Sequence, residues 1–203
     1  MVDESDIMVI ALGEPNTLRD RLSVCEWAVL PKIKVMGEVG ASDLALLGGL
    51  AHSSLQVIDL KDAESVILTE SVFSGCGELK YVALPDDLED IPDRVFEKCR
   101  NLQSIHLPNR LDTIGDSAFV DCVKLSEIHL PKRAHLIGKE SFENCSSLST
   151  IICDSIEPPI IHENSFTGIS TACQLIIPSG LSQMYKNNER WHDFVMQERE
   201  NNH

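Results

Sequence analysis

The side chains in this sequence with chemical potential are its cysteines and histidines, and four of the seven cysteines keep a fixed interval. Cys76, Cys99, Cys122 and Cys145 stand 23 residues apart. None forms the close C-x-x-C pair that holds zinc or shuttles electrons. Each lies three residues after a Phe and three before a Leu, an interior position where a thiol acts as a small hydrophobe. A buried column of free thiols is therefore expected. Cys25, Cys153 and Cys173 lie outside it, and one disulfide among them would suit an exported protein. His106 and His129 are also 23 residues apart, with Glu127 beside them in sequence. Two imidazoles and a carboxylate could hold a divalent ion if a fourth ligand or water joined them. Repeat duplication alone also produces such a pair, so no metal is expected. A response of binding to pH near the imidazole pKa of about 6.5 is the simpler role. Nothing resembles a nucleophile elbow, a phosphate loop or an H-E-x-x-H helix, and Gly48-Gly49 is an isolated pair. The chain reads as non-catalytic, without a cofactor.

The elements that carry these residues follow from the same period. Four units align: SVILTESVFSGCGELKYVALPDD from Ser65, LEDIPDRVFEKCRNLQSIHLPNR from Leu88, LDTIGDSAFVDCVKLSEIHLPKR from Leu111 and AHLIGKESFENCSSLSTIICDSI from Ala134. Phe73, Phe96, Phe119 and Phe142 share one column, and Leu79, Leu102, Leu125 and Leu148 another. Val82, Ile105, Ile128 and Ile151 form a third column, and Leu84, Leu107, Leu130 and Cys153 a fourth. Ile91, Ile114, Ile137 and Ile160 form a fifth, and Pro85, Pro108 and Pro131 close three units. In L-x-x-I-x-L the last two apolar residues alternate, which is a short strand with one face inward. Proline then ends the strand, having no N–H for a ladder. The stretch F-x-x-C-x-x-L spaces apolar residues by three, as one face of a short helix or 3₁₀ turn does. One unit cannot bury its apolar face alone, whereas stacked units share a continuous core.

The array spans residues 55–178, with four full units and a partial one at each end. Residues 1–54 read as an N-terminal cap. Thr17 and Asp20 suggest a capping box opening a helix with Leu18, Leu22 and Cys25 on one side. Ile33 and Val35 alternate as in a strand, and Ser42-Asp43 start a helix with Leu44, Leu47 and Ala51 inward. Residues 179–203 read as a helical C-terminal cap, with Met184, Trp191 and Phe194 covering the last rung.

Composition narrows the partners. Lys plus Arg number 17 against 32 Asp plus Glu, a formal charge of −15. With no basic cluster, such a surface repels phosphate backbones and anionic membranes, so nucleic acid is excluded. The acidity also favours solubility and discourages self-association. No apolar run reaches the roughly 18 to 20 residues that span a membrane. The opening Met1-Val2-Asp3-Glu4-Ser5-Asp6 lacks the basic and apolar regions of a secretion leader. This leaves an intracellular protein, or an exported one whose leader lies outside this sequence.

The units F-x-x-C-x-x-L-x-x-I-x-L-P resemble the BspA-type leucine-rich repeats of bacterial surface proteins, over residues 55 to 178. Ile33 to Val39, Asp43-Leu44 and Leu55-x-x-Ile58-Asp59-Leu60 also resemble the N-terminal module of such proteins in gut Bacteroidetes. The ending P-P-I-I-x-x-x-S-F-T-G, L-I-I-P-S-G and Tyr185-x5-Trp191-x2-Phe194 resembles their closing unit. The resemblance implies an α/β fold: a right-handed leucine-rich-repeat solenoid, a short horseshoe with a parallel sheet on its concave face. It implies a secreted or cell-anchored protein that binds macromolecules, and it brings no catalytic motif.

In that architecture the residues flanking the middle apolar position of each strand face the partner. One outward row is Val57, Tyr81, Ser104, Glu127, Thr150 and Gln174; the other is Asp59, Ala83, His106, His129, Ile152 and Ile176. Tyr81, Ser104, His106, Glu127, His129 and Thr150 are the expected contacts for a protein or glycan partner on the concave face. A structural spacer in a larger surface protein and an intracellular adaptor are the alternatives.

Overall fold

The computed structural model describes residues 7–22 and 30–199. Each L-x-x-I-x-L motif forms one parallel rung, β3 (Val57–Asp59), β5 (Tyr81–Ala83) and β7 (Ser104–His106) in one stretch of the main sheet and β9 (Glu127–Leu130), β11 (Thr150–Cys153) and β13 (Gln174–Ile177) in a second stretch that is not strand-paired to it. Two N-terminal strands extend this sheet, β1 (Met8–Leu12) and β2 (Lys32–Glu38), in the order β1-β2-β3-β5-β7. The two-residue β4 (Ala63–Glu64) also pairs with β2. At the other end β14 (Val195–Glu198) pairs in parallel with β13. Among its described residues the stretch expected to be a helical cap thus holds one five-residue helix, α3 (Ser182–Lys186), followed by a strand. A strand can satisfy the open backbone edge of β13, which a helix cannot.

A second parallel sheet joins β6 (Asp90–Ile91), β8 (Thr113–Ile114), β10 (Leu136–Ile137) and β12 (Ile160–Ile161). Its inward residues are Ile91, Ile114 and Ile137, all buried. Ile137 pairs with Ile161, not Ile160, so the last unit slips by one residue and Ile160 is exposed. The slip belongs to the longer interval of 24 residues between Phe142 and Phe166.

The F-x-x-C-x-x-L stretch is not helical: it is an arc of turns. Two residues per unit lie in the left-handed region, two before and two after each Phe: Ser71 and Gly75, Arg94 and Lys98, Ser117 and Asp121, Glu140 and Asn144. A positive φ interrupts the i→i−4 ladder, so apolar spacing of three reads as a helix that the backbone does not make. Backbone hydrogen bonds run instead to the next unit, as from Phe96 N–H to Ala118 O (2.9 Å) and Phe119 N–H to Ser141 O (2.7 Å). Behind this arc the phenylalanine rings stack face to face, 5.6, 5.3, 5.1 and 5.2 Å apart from Phe73 to Phe166. Trp191 and Phe194 close the stack with tilted and edge-on contacts. Met184, expected to help, is exposed, and buried Tyr185 takes the place beside Trp191.

The N-terminal cap is held by one carboxylate. Asp43, fully buried in the first turn of α2 (Ala41–Ala51), accepts from the N–H groups of Asn16 (2.6 Å), Leu18 (2.9 Å) and Gly40 (3.0 Å). It thereby ties α2 to the start of α1 (Leu18–Arg21). The Thr17–Asp20 capping box does not form; the Thr17 hydroxyl donates to Glu14 O, and Leu18 N–H is taken by Asp43. Leu44, Leu47 and Ala51 are buried as expected. Cys25, expected on the first helix, lies outside the described residues.

Candidate functional site

Strand pairing sets the outward residues of the main sheet side by side. Val57, Tyr81 and Ser104 are successive partners, as are Glu127, Thr150 and Gln174. In the second row Asp59, Ala83 and His106 are partners, and so are His129, Ile152 and Ile176. Ser104, Glu127 and His129 are exposed; Tyr81, His106 and Thr150 are half-buried. Val57 and Ala83 are buried, so the face offers less contact at its N-terminal end than the rows alone suggest.

The two rows do not cross the whole sheet. No strand pairing joins β7 to β9, and the backbone bond from Ser126 N–H to Gln103 O, at 3.4 Å, lies just before both strands. Leu60 N–H reaches Ala83 O at 2.8 Å and Leu84 N–H reaches His106 O at 3.1 Å, the bonds that close the preceding rungs. The expected ladder of His106 against His129 is therefore opened. A cleft of about 160 Å³ takes its place, lined by Ile105, His106, Leu107, Asn109, His129, Pro131 and Asp154. The core is slightly uncovered there: Ile105 and Leu107 are 8% and 5% exposed, while Val82 and Leu84 one rung earlier are 0%.

Each histidine at this opening is held by its own carboxylate. His106 Nε2 lies 3.2 Å from Asp86 Oδ1, and Asn109 N–H donates to the same oxygen at 3.2 Å. Burial pushes the Asp86 carboxyl up, but the hydrogen bonds from His106 and Asn109 outweigh it and leave it below its ordinary value. His129 Nε2 lies 2.8 Å from Asp154 Oδ2, and Arg199, just past the C-terminal strand, also binds Asp154. Burial holds His129 below the usual imidazole range, and the Arg199 charge adds to it, with Glu127 opposing. The two histidines and Glu127 do not converge, and no group of three metal-ligating side chains occurs among the described residues. Asp86, Asp154 and Arg199 are the site residues that sequence reasoning missed. Asp86 follows Pro85, and Asp154 stands in the Pro column itself, 23 residues after Pro131, and those positions just past a strand were the available signal.

The cysteine column is a ladder of hydrogen bonds as well as of packing. Each thiol donates to a carbonyl of the preceding layer: Cys99 to Phe73 O (3.0 Å), Cys122 to Phe96 O (3.1 Å) and Cys145 to Phe119 O (3.2 Å). Burial pushes the Cys122 thiol up, Cys145 to about 12 and Cys173 to about 11. These thiols are not nucleophiles at neutral pH. Cys153 and Cys173 are free, and Cys153 Sγ is instead 3.3 Å from the Tyr185 hydroxyl.

Residues 66–188 match the model of the BspA type leucine rich repeat region in 6 copies. Among solved structures, the chain is similar to a leucine rich repeat protein of T. pallidum at 26% identity, covering 62% of this chain and 55% of that one, TM-score 0.47. It is similar to a leucine-rich repeat protein from Bacteroides ovatus at 24% identity, covering 83% and 43%, TM-score 0.49. A leucine rich cell surface protein from Faecalibacterium prausnitzii matches at 16% identity, covering 94% and 65%, TM-score 0.44. The chain spans 55%, 43% and 65% of the length of these three structures. No curated protein matches it.

Proposed function

Because this chain belongs to the BspA-type leucine-rich repeat family, we propose that it is a non-catalytic protein-binding module of a bacterial cell surface, with its partner lying across the concave face of the main sheet. The observation that carries this reading is the opening between β7 and β9, the place where the outward rows stop being a closed ladder. A partner side chain seated there reaches the partly uncovered Ile105 and Leu107, while His106 and His129 stand at the rim with their carboxylates. Tyr81 and Ser104 extend the contact on one side, Glu127 and Thr150 on the other. A tyrosine among short polar side chains, with Ile152 and Ile176 beside them, is the amphipathic mixture of a protein interface. That mixture favours protein over glycan as the ligand. The family, whose members are typically bacterial surface proteins, supports the surface address; no helix among the described residues is long and apolar enough to cross a membrane.

The test is a screen of purified candidate proteins and glycans against the chain, followed by Tyr81→Ala, His106→Ala and His129→Ala on any interaction found. Central anchors cost about 1–2 kcal/mol or more when truncated, so affinity should fall roughly tenfold or more. Arg94→Ala, on the arc of turns behind the Phe stack, should leave it unchanged. The reverse pattern refutes the concave-face assignment, and a chain that binds nothing favours the spacer.

A further inference from the structure

The junction between β7 and β9 is joined to very different degrees at its front, on the concave face, and at its back. Along the front, one backbone bond recurs just before the strands of each junction: Lys80 N–H to Gln56 O at 2.7 Å, Gln103 to Lys80 at 2.9 Å, Ser149 to Ser126 at 3.0 Å and Gln174 to Ser149 at 2.9 Å. Its counterpart between the units from Leu88 and Leu111, Ser126 N–H to Gln103 O, is the longest of the five at 3.4 Å. The strand pairing that should follow it is absent. The histidines on the two lips turn away from each other. His106 reaches back to Asp86, which follows β5, and His129 reaches forward to Asp154, which follows β11. Each tie therefore stays within its own half of the array, and neither crosses the opening.

The back of the same junction is fully joined. β6 and β8 pair there, Asp90 with Thr113 and Ile91 with Ile114. Gly115 N–H donates to Ile91 O at 2.8 Å, Phe96 N–H to Ala118 O at 2.9 Å and Lys98 N–H to Val120 O at 2.8 Å. The Gly115 backbone packs so closely that a Cβ on it would stand 2.7 Å from Asp93 N. Between front and back the rings record a rotation. Phe96 and Phe119 are tilted by 14°, against 5°, 4° and 1° for the other stacked pairs. We propose that this junction is a hinge: the second sheet is its axis, and the lips at His106 and His129 part and close as the two halves rotate. The 14° between the rings, acting over the roughly 10 Å between packed layers, shifts the lips by about 2.5 Å, about half the roughly 4.8 Å between paired strands. Such a step makes or breaks a strand pairing while both halves stay rigid. The motion belongs to the free chain, so the curvature of the concave face is adjustable before any partner arrives.

The experiment is NMR relaxation dispersion on the whole chain, which reads the μs–ms range of collective hinge motion. The amides of residues 104–107 and 126–130 should show dispersion, and those of Phe96, Lys98 and Gly115 at the back should be flat. Ser104→Cys with Glu127→Cys places thiols at equivalent positions on the two lips. Its disulfide should hold the rung closed and abolish the dispersion, and reduction should restore it. Tyr81→Cys with Ser104→Cys bridges the paired rung of β5 and β7 within one half, and its disulfide should leave the dispersion untouched. Flat front amides would show a fixed gap and overturn the proposal. Dispersion as large at Phe96 and Gly115 as at the lips would show two blocks separating bodily, and also overturns it. So does dispersion that survives the 104–127 disulfide, or a disulfide that forms at 81–104 but not at 104–127.

Discussion

The phenylalanine stack makes a quantitative prediction about how stability is distributed along the array. Phe119 is fully buried between Phe96 at 5.3 Å and Phe142 at 5.1 Å, both nearly parallel to it. Phe119→Leu keeps an apolar side chain of similar bulk, a change costing up to about 1.5 kcal/mol by itself. It also removes two stacked pairs at about 0.5–1.5 kcal/mol each. The expected loss is therefore about 2–4 kcal/mol. A double-mutant cycle separates these contributions. Phe96→Leu with Phe119→Leu removes a shared pair and should show a coupling of about 0.5–1.5 kcal/mol. Phe73→Leu with Phe119→Leu, two units apart, should be additive to within about 0.3–0.5 kcal/mol. Urea unfolding followed by both circular dichroism and tryptophan fluorescence measures the parent and the five variants. Equal coupling in the adjacent and distant pairs, or none in either, would refute the nearest-neighbour account of this core.

Four further outcomes are expected. Iodoacetamide at pH 8 should label Cys122 and Cys145 only as fast as the chain unfolds, since a thiol pushed up to about 12 is roughly 10⁻⁴ thiolate there; rapid native labelling by mass spectrometry would contradict the buried ladder. Stability should decline as pH falls below 6.5, because a His129 pKa held under that ordinary value makes the unfolded chain the better proton acceptor. The contribution is present above 6.5 and lost as pH falls toward the folded value; that of Asp86, also depressed, is lost later, as pH falls below 3.8. Arg199→Gln should raise the His129 pKa in an NMR titration, and an unchanged value would remove Arg199 as a cause. Asp43→Ala should cost about 3 kcal/mol or more by stranding the N–H groups of Asn16, Leu18 and Gly40; a calorimetric melt within a degree of the parent would show that they find other acceptors.

The repeat was legible because core columns are a property of residue type and interval. Phe, Cys, Leu and Ile recur at fixed positions, and hydrophobic burial acts on each copy alike. The arc of turns was not, since spacing by three is shared by a helix and by a coil with two left-handed residues. Ser71, Arg94, Ser117 and Glu140 occupy one left-handed column with three different kinds of side chain. No residue preference marks it, and the bonds to the next unit impose it. The second sheet was hidden for a similar reason: two-residue strands such as Thr113–Ile114 exist only through their neighbours.

The candidate site divides in the same way. From the sequence come the rows holding Tyr81, Ser104, His106, Glu127, His129 and Thr150, because strand alternation is a local rule. The opening between β7 and β9, and the pairing of His106 with Asp86 and His129 with Asp154, came only from the tertiary structure. Those pairs join residues 20 and 25 apart, across turns whose geometry no spacing specifies. The sequence by itself determined a stack of near-identical units with buried thiols and rings. Tertiary structure decided where that stack is irregular, because a gap between rungs depends on how two units settle against each other and not on the pattern within either.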